Sequence, residues 1–143
     1  MPTRKFQVVM AAAMFAGGFA TAQAGTVEDA RAHFDAIASG DVTRVMAPYQ
    51  SNARFEWVGG PLNGVYEGAG KIKEVWTKFA KANAPLKVEI GKIDVSGNPA
   101  GSTASANVEF VGKNTIKVRY VLVFRDDKIS SEVWQIDPKL MVY

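Results

Sequence analysis

Cysteine is absent from the 143 residues, and histidine occurs once, at His33. No disulfide can form and no thiol nucleophile exists, so an apolar core alone must hold the chain together. A single histidine without cysteine argues against a transition-metal site, whose ligands come mostly from those two residue types. A phosphate-cradling loop is missing as well. Gly59-Gly60 and Gly68-Ala69-Gly70 have neither the spacing nor the lysine that such a loop needs. No metal and no cofactor are therefore expected.

Long apolar runs are scarce, with one exception at the start. Arg4 and Lys5 precede an uncharged stretch over residues 6–20, and Ala22-Gln23-Ala24 places small residues at the alternate positions that signal peptidase accepts. Glycines at 17 and 18 and the polar Thr21 and Gln23 leave this run short of the ~20 residues a membrane-spanning helix requires. Residues 1–24 are read as a signal peptide and 25–143 as one domain, exported to the periplasm or secreted. Losing Arg4 and Lys5 takes the basic residues from 17 to 15 against 14 acidic ones, a net charge of +1. So balanced a chain gives no electrostatic reason to expect nucleic acid, or a membrane surface after cleavage, as a partner.

Within the domain, residues 26–60 form the part around which the later strands are arranged. Thr26 is placed to cap a helix, with Glu28 and Asp29 in its first turn, where negative charge meets the positive end of the helix dipole. Val27, Ala30, Phe34 and Ile37 recur at helical spacing, His33 lies at the edge of that stripe, and Gly40 ends it. Asp41 caps a short second helix that Pro48 stops. Residues 53–58 alternate as a strand, with Phe55 and Trp57 on one face and Arg54 and Glu56 on the other. Residues 59–70 look like loop. A third helix over about 71–82 carries a stripe of Ile72, Val75, Trp76 and Phe79, all assigned to core.

From Leu86 onward the period is two. Strands are expected near 86–90, around Ile93 and Val95 after a bend at Gly91, over 103–110, over 115–125, and over 129–136. Turn residues stand at 96–102, at Gly112-Lys113-Asn114 and at Asp126-Asp127-Lys128. The order of helix, helix, strand, helix, then a strand meander defines an α+β layer arrangement: a curved antiparallel or mixed sheet with three N-terminal helices on its concave face.

These residues carry a resemblance. Phe34-Asp35-Ala36-Ile37-Ala38-Ser39-Gly40-Asp41 at the first helix junction, residues 49–57 entering the first strand, Tyr66-Glu67-Gly68 ahead of Ile72 and Trp76, and the closing residues 128–137 are similar to the nuclear transport factor 2-like superfamily. That superfamily has a cone-shaped α+β fold and includes ketosteroid isomerase and the SnoaL-like polyketide cyclases. What the resemblance implies about function is broad, because one scaffold serves many chemistries. Position by position, the isomerase's oxyanion-binding tyrosine corresponds to His33, its catalytic aspartate to Trp57, and its protonated acid to a position at or beside Tyr120. Trp57 cannot abstract a proton, so ketosteroid isomerase activity itself is not expected.

His33, Tyr120 and Glu132 are the resulting catalytic or polar candidates. Alternation puts Glu132, Trp134 and Ile136 on one face of the last strand, and the resemblance turns that face to the cone interior, where a buried carboxylate needs a partner such as His33 or Tyr120. Tyr49, Trp57, Phe110 and Trp134 are the candidate ligand-binding walls, apolar bodies with some polar tips that suit a planar hydrophobic or aromatic molecule. Arg54, Glu56, Asn107, Glu109, Lys117, Arg119 and Arg125 fall on the outer face of the sheet with Val121 and Val123, a face through which a homodimer could form. Three functions remain open on these residues. One is a binder of a small hydrophobic ligand, the second an isomerase, cyclase or dehydratase with His33 or Glu132 as base and Tyr120 as donor, and the third a homodimeric assembly module without ligand.

Overall fold

Four positions of the first helix, Ala30, His33, Phe34 and Ile37, are almost inaccessible to solvent and recur at the three- and four-residue spacing of one helix face. In the computed structural model, which describes residues 15–143 and side chains from Gly25 onward, this helix is α1 (Phe15–Ser39). The signal-peptide expectation falls on residues 1–24. Of these, 1–14 lie outside the described residues and 15–24 are described by backbone alone. Thr26 is not the N-cap expected of it. The helix passes straight through it, since no proline interrupts residues 15–25, and Thr26 Oγ1 lies instead 3.0 Å from Ser102 Oγ. Among the described residues no helix is long and apolar enough to cross a membrane.

Gly40 ends α1 as expected. Its φ of 78° is left-handed, and its amide donates to the carbonyls of Ala36 and Ile37, closing the last turn. Asp41 then caps α2 (Val42–Met46) by accepting from the Arg44 amide at 3.2 Å. The chain next enters β1 (Tyr49–Val58), which begins four residues earlier than alternation alone indicated, because Tyr49 already pairs with Ile129. The stretch 59–70 is not all loop. It contains β2 (Gly64–Glu67), antiparallel to β1, whose alternate residues are too short a run for a period to stand out. The third helix, α3 (Ala69–Asn83), buries Ile72, Val75, Trp76 and Phe79.

The remaining strands are β3 (Lys87–Ile90), β4 (Asp94–Asn98), β5 (Gly101–Val111), β6 (Thr115–Arg125) and β7 (Lys128–Ile136). Residues 96–102, read as turn, mostly belong to the ends of β4 and β5, so the turn itself is tighter than its composition suggested. Between β6 and β7, Asp126 and Asp127 both take positive φ, 52° and 60°, the conformation a two-residue hairpin requires and aspartate tolerates.

The sheet is seven-stranded and mixed, in the order β2-β1-β7-β6-β5-β3, with β4 also on β5. Parallel pairing of β1 with β7 joins the chain's first strand to its last. It places β7 between β1 and β6, so the residues of β7 that face the helices are covered from both sides. On the concave face α1 packs against β3, β4 and β5, where Ala104 and Ala106 are small enough to admit a helix, and α3 packs against β1 and β2. The opposite face is polar and charged, with Arg54 between Glu56 and Glu67. There Val121 and Val123 are half-buried, and Asn107, held by Arg119, donates to the carbonyl of Met141 at 2.8 Å.

The α1 terminus gives a stability test. A Cβ on Gly40 would stand 2.5 Å from the Ala84 Cβ in a left-handed backbone, whereas a Cβ on Gly70, in the first turn of α3, meets nothing within 4 Å. Gly40→Ala is expected to lower the unfolding free energy by about 1–3 kcal/mol. Gly70→Ala should raise it by about 0.4–1 kcal/mol, since it only restricts the unfolded chain. Urea denaturation of both variants measures the contrast.

Candidate functional site

Glu132 lies at the middle of β7, opposite Phe55 of β1 and Leu122 of β6, and is 1% exposed. A carboxylate so far from water needs several donors, because leaving it bare would cost many kcal/mol. It has three. His33 Nε2 of α1 lies 2.8 Å from Oε2, the Tyr120 hydroxyl of β6 donates to the same oxygen at 2.8 Å, and the Tyr49 hydroxyl of β1 donates to Oε1 at 2.6 Å. The Trp76 indole of α3 completes the network by donating to the Tyr49 oxygen at 2.8 Å. One side chain is thereby tied to four other elements: α1, β1, α3 and β6.

With the Glu132 carboxylate ionised, these contacts assign the protons. An ionised carboxylate only accepts, so both tyrosine protons point to it and His33 Nε2 must carry a hydrogen. The Tyr49 oxygen accepts from the Trp76 indole at 2.8 Å and lies within hydrogen-bond distance, 3.3 Å, of Nε2 as well. His33 Nδ1 is then the polar atom of the group that has no hydrogen-bond partner among the described residues. The imidazole is boxed edge-on by the rings of Tyr49, Tyr120 and Trp76, with centroids 5.4, 6.2 and 6.4 Å away.

Both phenols are held protonated. Burial first, and then the negative charge of Glu132 beside them, pushes Tyr49 and Tyr120 well above the ordinary tyrosine value of 10.0. Each is therefore a donor to Glu132 throughout the neutral range, and neither has a spare proton for another molecule.

Below this polar group lies a continuous set of rings. Trp57 and Trp134 occupy paired positions of β1 and β7, with centroids 4.6 Å apart. Phe79 stands 5.5 and 5.3 Å from them, and Phe110 stacks on Trp134 at 5.1 Å. The indole N–H groups of Trp57 and Trp134 are buried and have no acceptor among the described residues. That distinguishes them from Trp76.

All three polar candidates, His33, Tyr120 and Glu132, are thus brought together, and Tyr49 joins them as a fourth hydrogen-bonding member instead of a plain wall. Trp57, Phe110 and Trp134 line the adjacent aromatic region. His33 is not at the edge of the α1 stripe but inside it, at 3% exposure. Trp76, expected only as core, has a polar role as well. Helical spacing locates its ring correctly, yet nothing in a period reports where an indole N–H points. Among the described residues no group of three or more His, Asp or Glu side chains could hold a metal ion.

The comparisons with known proteins agree with this architecture. A sequence profile for the SnoaL-like domain matches residues 30–132, most of the chain. Among curated proteins, none matches significantly. In structure, the chain is similar to a nuclear transport factor 2-like (NTF2-like) protein of unknown function from Pseudomonas putida KT2440, with a TM-score of 0.72 and 14% identity over 81% of this chain and 87% of that one. It is similar also to SalBIII, an epoxide hydrolase/cyclase-like enzyme of pyran ring formation in the polyether salinomycin, at 0.57 and 21%, covering 78% and 90%. A de novo designed protein with a curved β-sheet matches at 0.61 and 19%, covering 82% and 88%. At such identities these likenesses establish the NTF2-like cone fold, and the designed one shows that the shape by itself prescribes no chemistry. The chain belongs to the SnoaL-like domain family.

The phenols set an alkaline limit. Their folded values lie above the unfolded value of 10.0, so above pH 10 the unfolded chain binds fewer protons and stability falls as pH rises. Below pH 10 both contributions are fully present. Denaturation between pH 9 and pH 11.5 should show a decline that Tyr49→Phe and Tyr120→Phe each make shallower by about 1.4 kcal/mol per pH unit.

Proposed function

We propose that this chain binds a small, largely apolar, planar molecule inside the cone, between α1, α3 and the concave sheet face. The observation that carries the reading is a fully buried polar group, His33-Glu132-Tyr49-Tyr120, set against a wall of tryptophan and phenylalanine rings. A few fixed polar atoms within an apolar surround are the usual make-up of a small-molecule site. The SnoaL-like family and the structural likeness to SalBIII, an epoxide hydrolase/cyclase-like enzyme of pyran ring formation, support the same reading. The rings touch one another, so a ligand enters by parting them. Export, and pairing of two copies through the outer face that carries Val121 and Val123, are carried with this reading as proposals from the sequence.

Thermal unfolding with a panel of bicyclic and steroid-sized aromatic compounds tests it. One class should raise the midpoint in a saturable, concentration-dependent manner, reaching about 2.7 kcal/mol of stabilisation at a hundred times its dissociation constant. A midpoint indifferent to the whole panel would contradict a ligand site in the cone.

A second reading, that the site also catalyses proton transfer next to a carbonyl, is favoured by one feature. His33 is held through Nε2 by a carboxylate while Nδ1 has no partner, the arrangement in which an orienting acid presents the other imidazole nitrogen as a base. Glu132 is the weaker choice for that role, because three donors occupy its oxygens, and Tyr120 is not a free donor. If the reading holds, the chain in deuterium oxide will speed deuterium uptake at the carbon beside the carbonyl of a bound ketone. His33→Gln should cut that rate by about 10²–10⁴. Uptake at the uncatalysed rate would leave binding alone.

A further inference from the structure

The aromatic wall contains two hydrogen-bond donors that the fold does not use. Trp57 and Trp134 sit side by side on adjacent strands, 3% and 0% exposed, and each buries an indole N–H without a protein acceptor among the described residues. Their neighbour Trp76 shows what the same fold does with an indole it satisfies, since its N–H is bonded to Tyr49. Buried donors are nearly always paired, so two unpaired donors on touching rings call for a specific reason. An indole N–H donates and never accepts, so whatever meets it must offer a lone pair.

Charge narrows the class further. Among the described residues the buried polar or charged side chains are Thr26, His33 and Glu132, with no lysine or arginine. A carboxylate, sulfonate or phosphate placed there would be an anion in an apolar site already holding a carboxylate, without a cation free to offset it. An ammonium group would gain nothing from Glu132, whose oxygens already accept from three donors, and it would meet N–H donors at both tryptophans.

Resting on the cone-binding reading above, we propose that Trp57 and Trp134 are the specificity-determining residues of this site, and that they select a neutral aromatic ligand bearing a carbonyl-type acceptor, such as an aryl ketone, quinone or lactone. The rings supply stacking area and their N–H groups grip the carbonyl oxygen. The hydrocarbon of the same shape keeps the stacking and loses the grip.

The test compares 1-tetralone with tetralin, its analogue lacking the carbonyl, and with 2-naphthoate as an anion, on the full ¹⁵N-labelled chain. Its three tryptophans give three indole N–H signals, and Trp76 serves as the internal reference. The expected result is binding of 1-tetralone about tenfold or more tighter than tetralin, the gain of roughly one buried hydrogen bond. The Trp57 or Trp134 indole proton should move downfield while that of Trp76 stays, and 2-naphthoate should bind at least about tenfold more weakly than 1-tetralone. Equal binding of 1-tetralone and tetralin would overturn the donor role and leave the apolar site standing. Naphthoate binding as well as the ketone would overturn the selection for neutral ligands, and failure of all three would overturn the ligand site and this inference together. Trp134→Phe and Trp57→Phe add a check at the donors themselves. Either variant that stays folded should narrow the ketone's advantage over the hydrocarbon, and an undiminished advantage in both would contradict the assignment.

Discussion

The carboxylate of Glu132, enclosed at the centre of the sheet and satisfied only by side chains, is the constraint on which the rest of this structure depends. Its three donors come from α1, β1 and β6, and a fourth group, Trp76 of α3, secures one of them. Each of these elements must be in place for the charge to be tolerated, because removing one donor leaves part of a buried ion uncompensated. Parallel pairing of β1 with β7 has the same consequence from the backbone side: it makes β7 an interior strand and so puts Glu132 out of reach of water. Helix placement, strand order and the buried charge are thus mutually dependent.

The same network decides which atoms are left for chemistry. The tyrosine protons are committed to Glu132, and the carboxylate oxygens are committed to their donors. Among the described residues, what remains buried, polar and unpaired is His33 Nδ1 together with the two indole N–H groups further along the aromatic wall. The buried polar groups therefore divide into a saturated set around Glu132, which fixes the architecture, and an unsaturated set, on which the proposed binding rests. The resemblance to ketosteroid isomerase puts Trp57 where that enzyme has its base, and a tryptophan cannot abstract a proton. Here that position holds a buried indole whose N–H has no acceptor among the described residues.

Much of this was legible in the sequence, for physical reasons that vary by residue. The stripe of Ala30, Phe34 and Ile37, the left-handed stop at Gly40 and the alternation through β5, β6 and β7 are period and turn signals, and they located the layers, whereas the inward side of Glu132 came from the family resemblance. The partnership of His33 with Glu132 joins residues 99 positions apart, and its expectation came from the family resemblance combined with strand alternation. Three things were out of reach. The strand β2 is too short to show a period, the continuation of α1 through Thr26 ran against a good capping pattern, and the polar roles of Tyr49 and Trp76 depend on where a hydroxyl and an indole N–H point. Periodicity places side chains on faces and says nothing about their single polar atoms.

The claim that Glu132 is held by internal donors is tested most directly at the lone imidazole, by ¹⁵N NMR of the ring nitrogens of His33 in the intact chain at neutral pH. An ionised Glu132 that only accepts calls for a hydrogen on Nε2, engaged with the carboxylate and exchanging far more slowly with water than that of an exposed imidazole. An Nε2 without hydrogen would show that Glu132 is not held as an ionised acceptor, and a ring proton that exchanges as fast as in a free peptide would show that the network is not formed and that Glu132 is not the anchor of the fold.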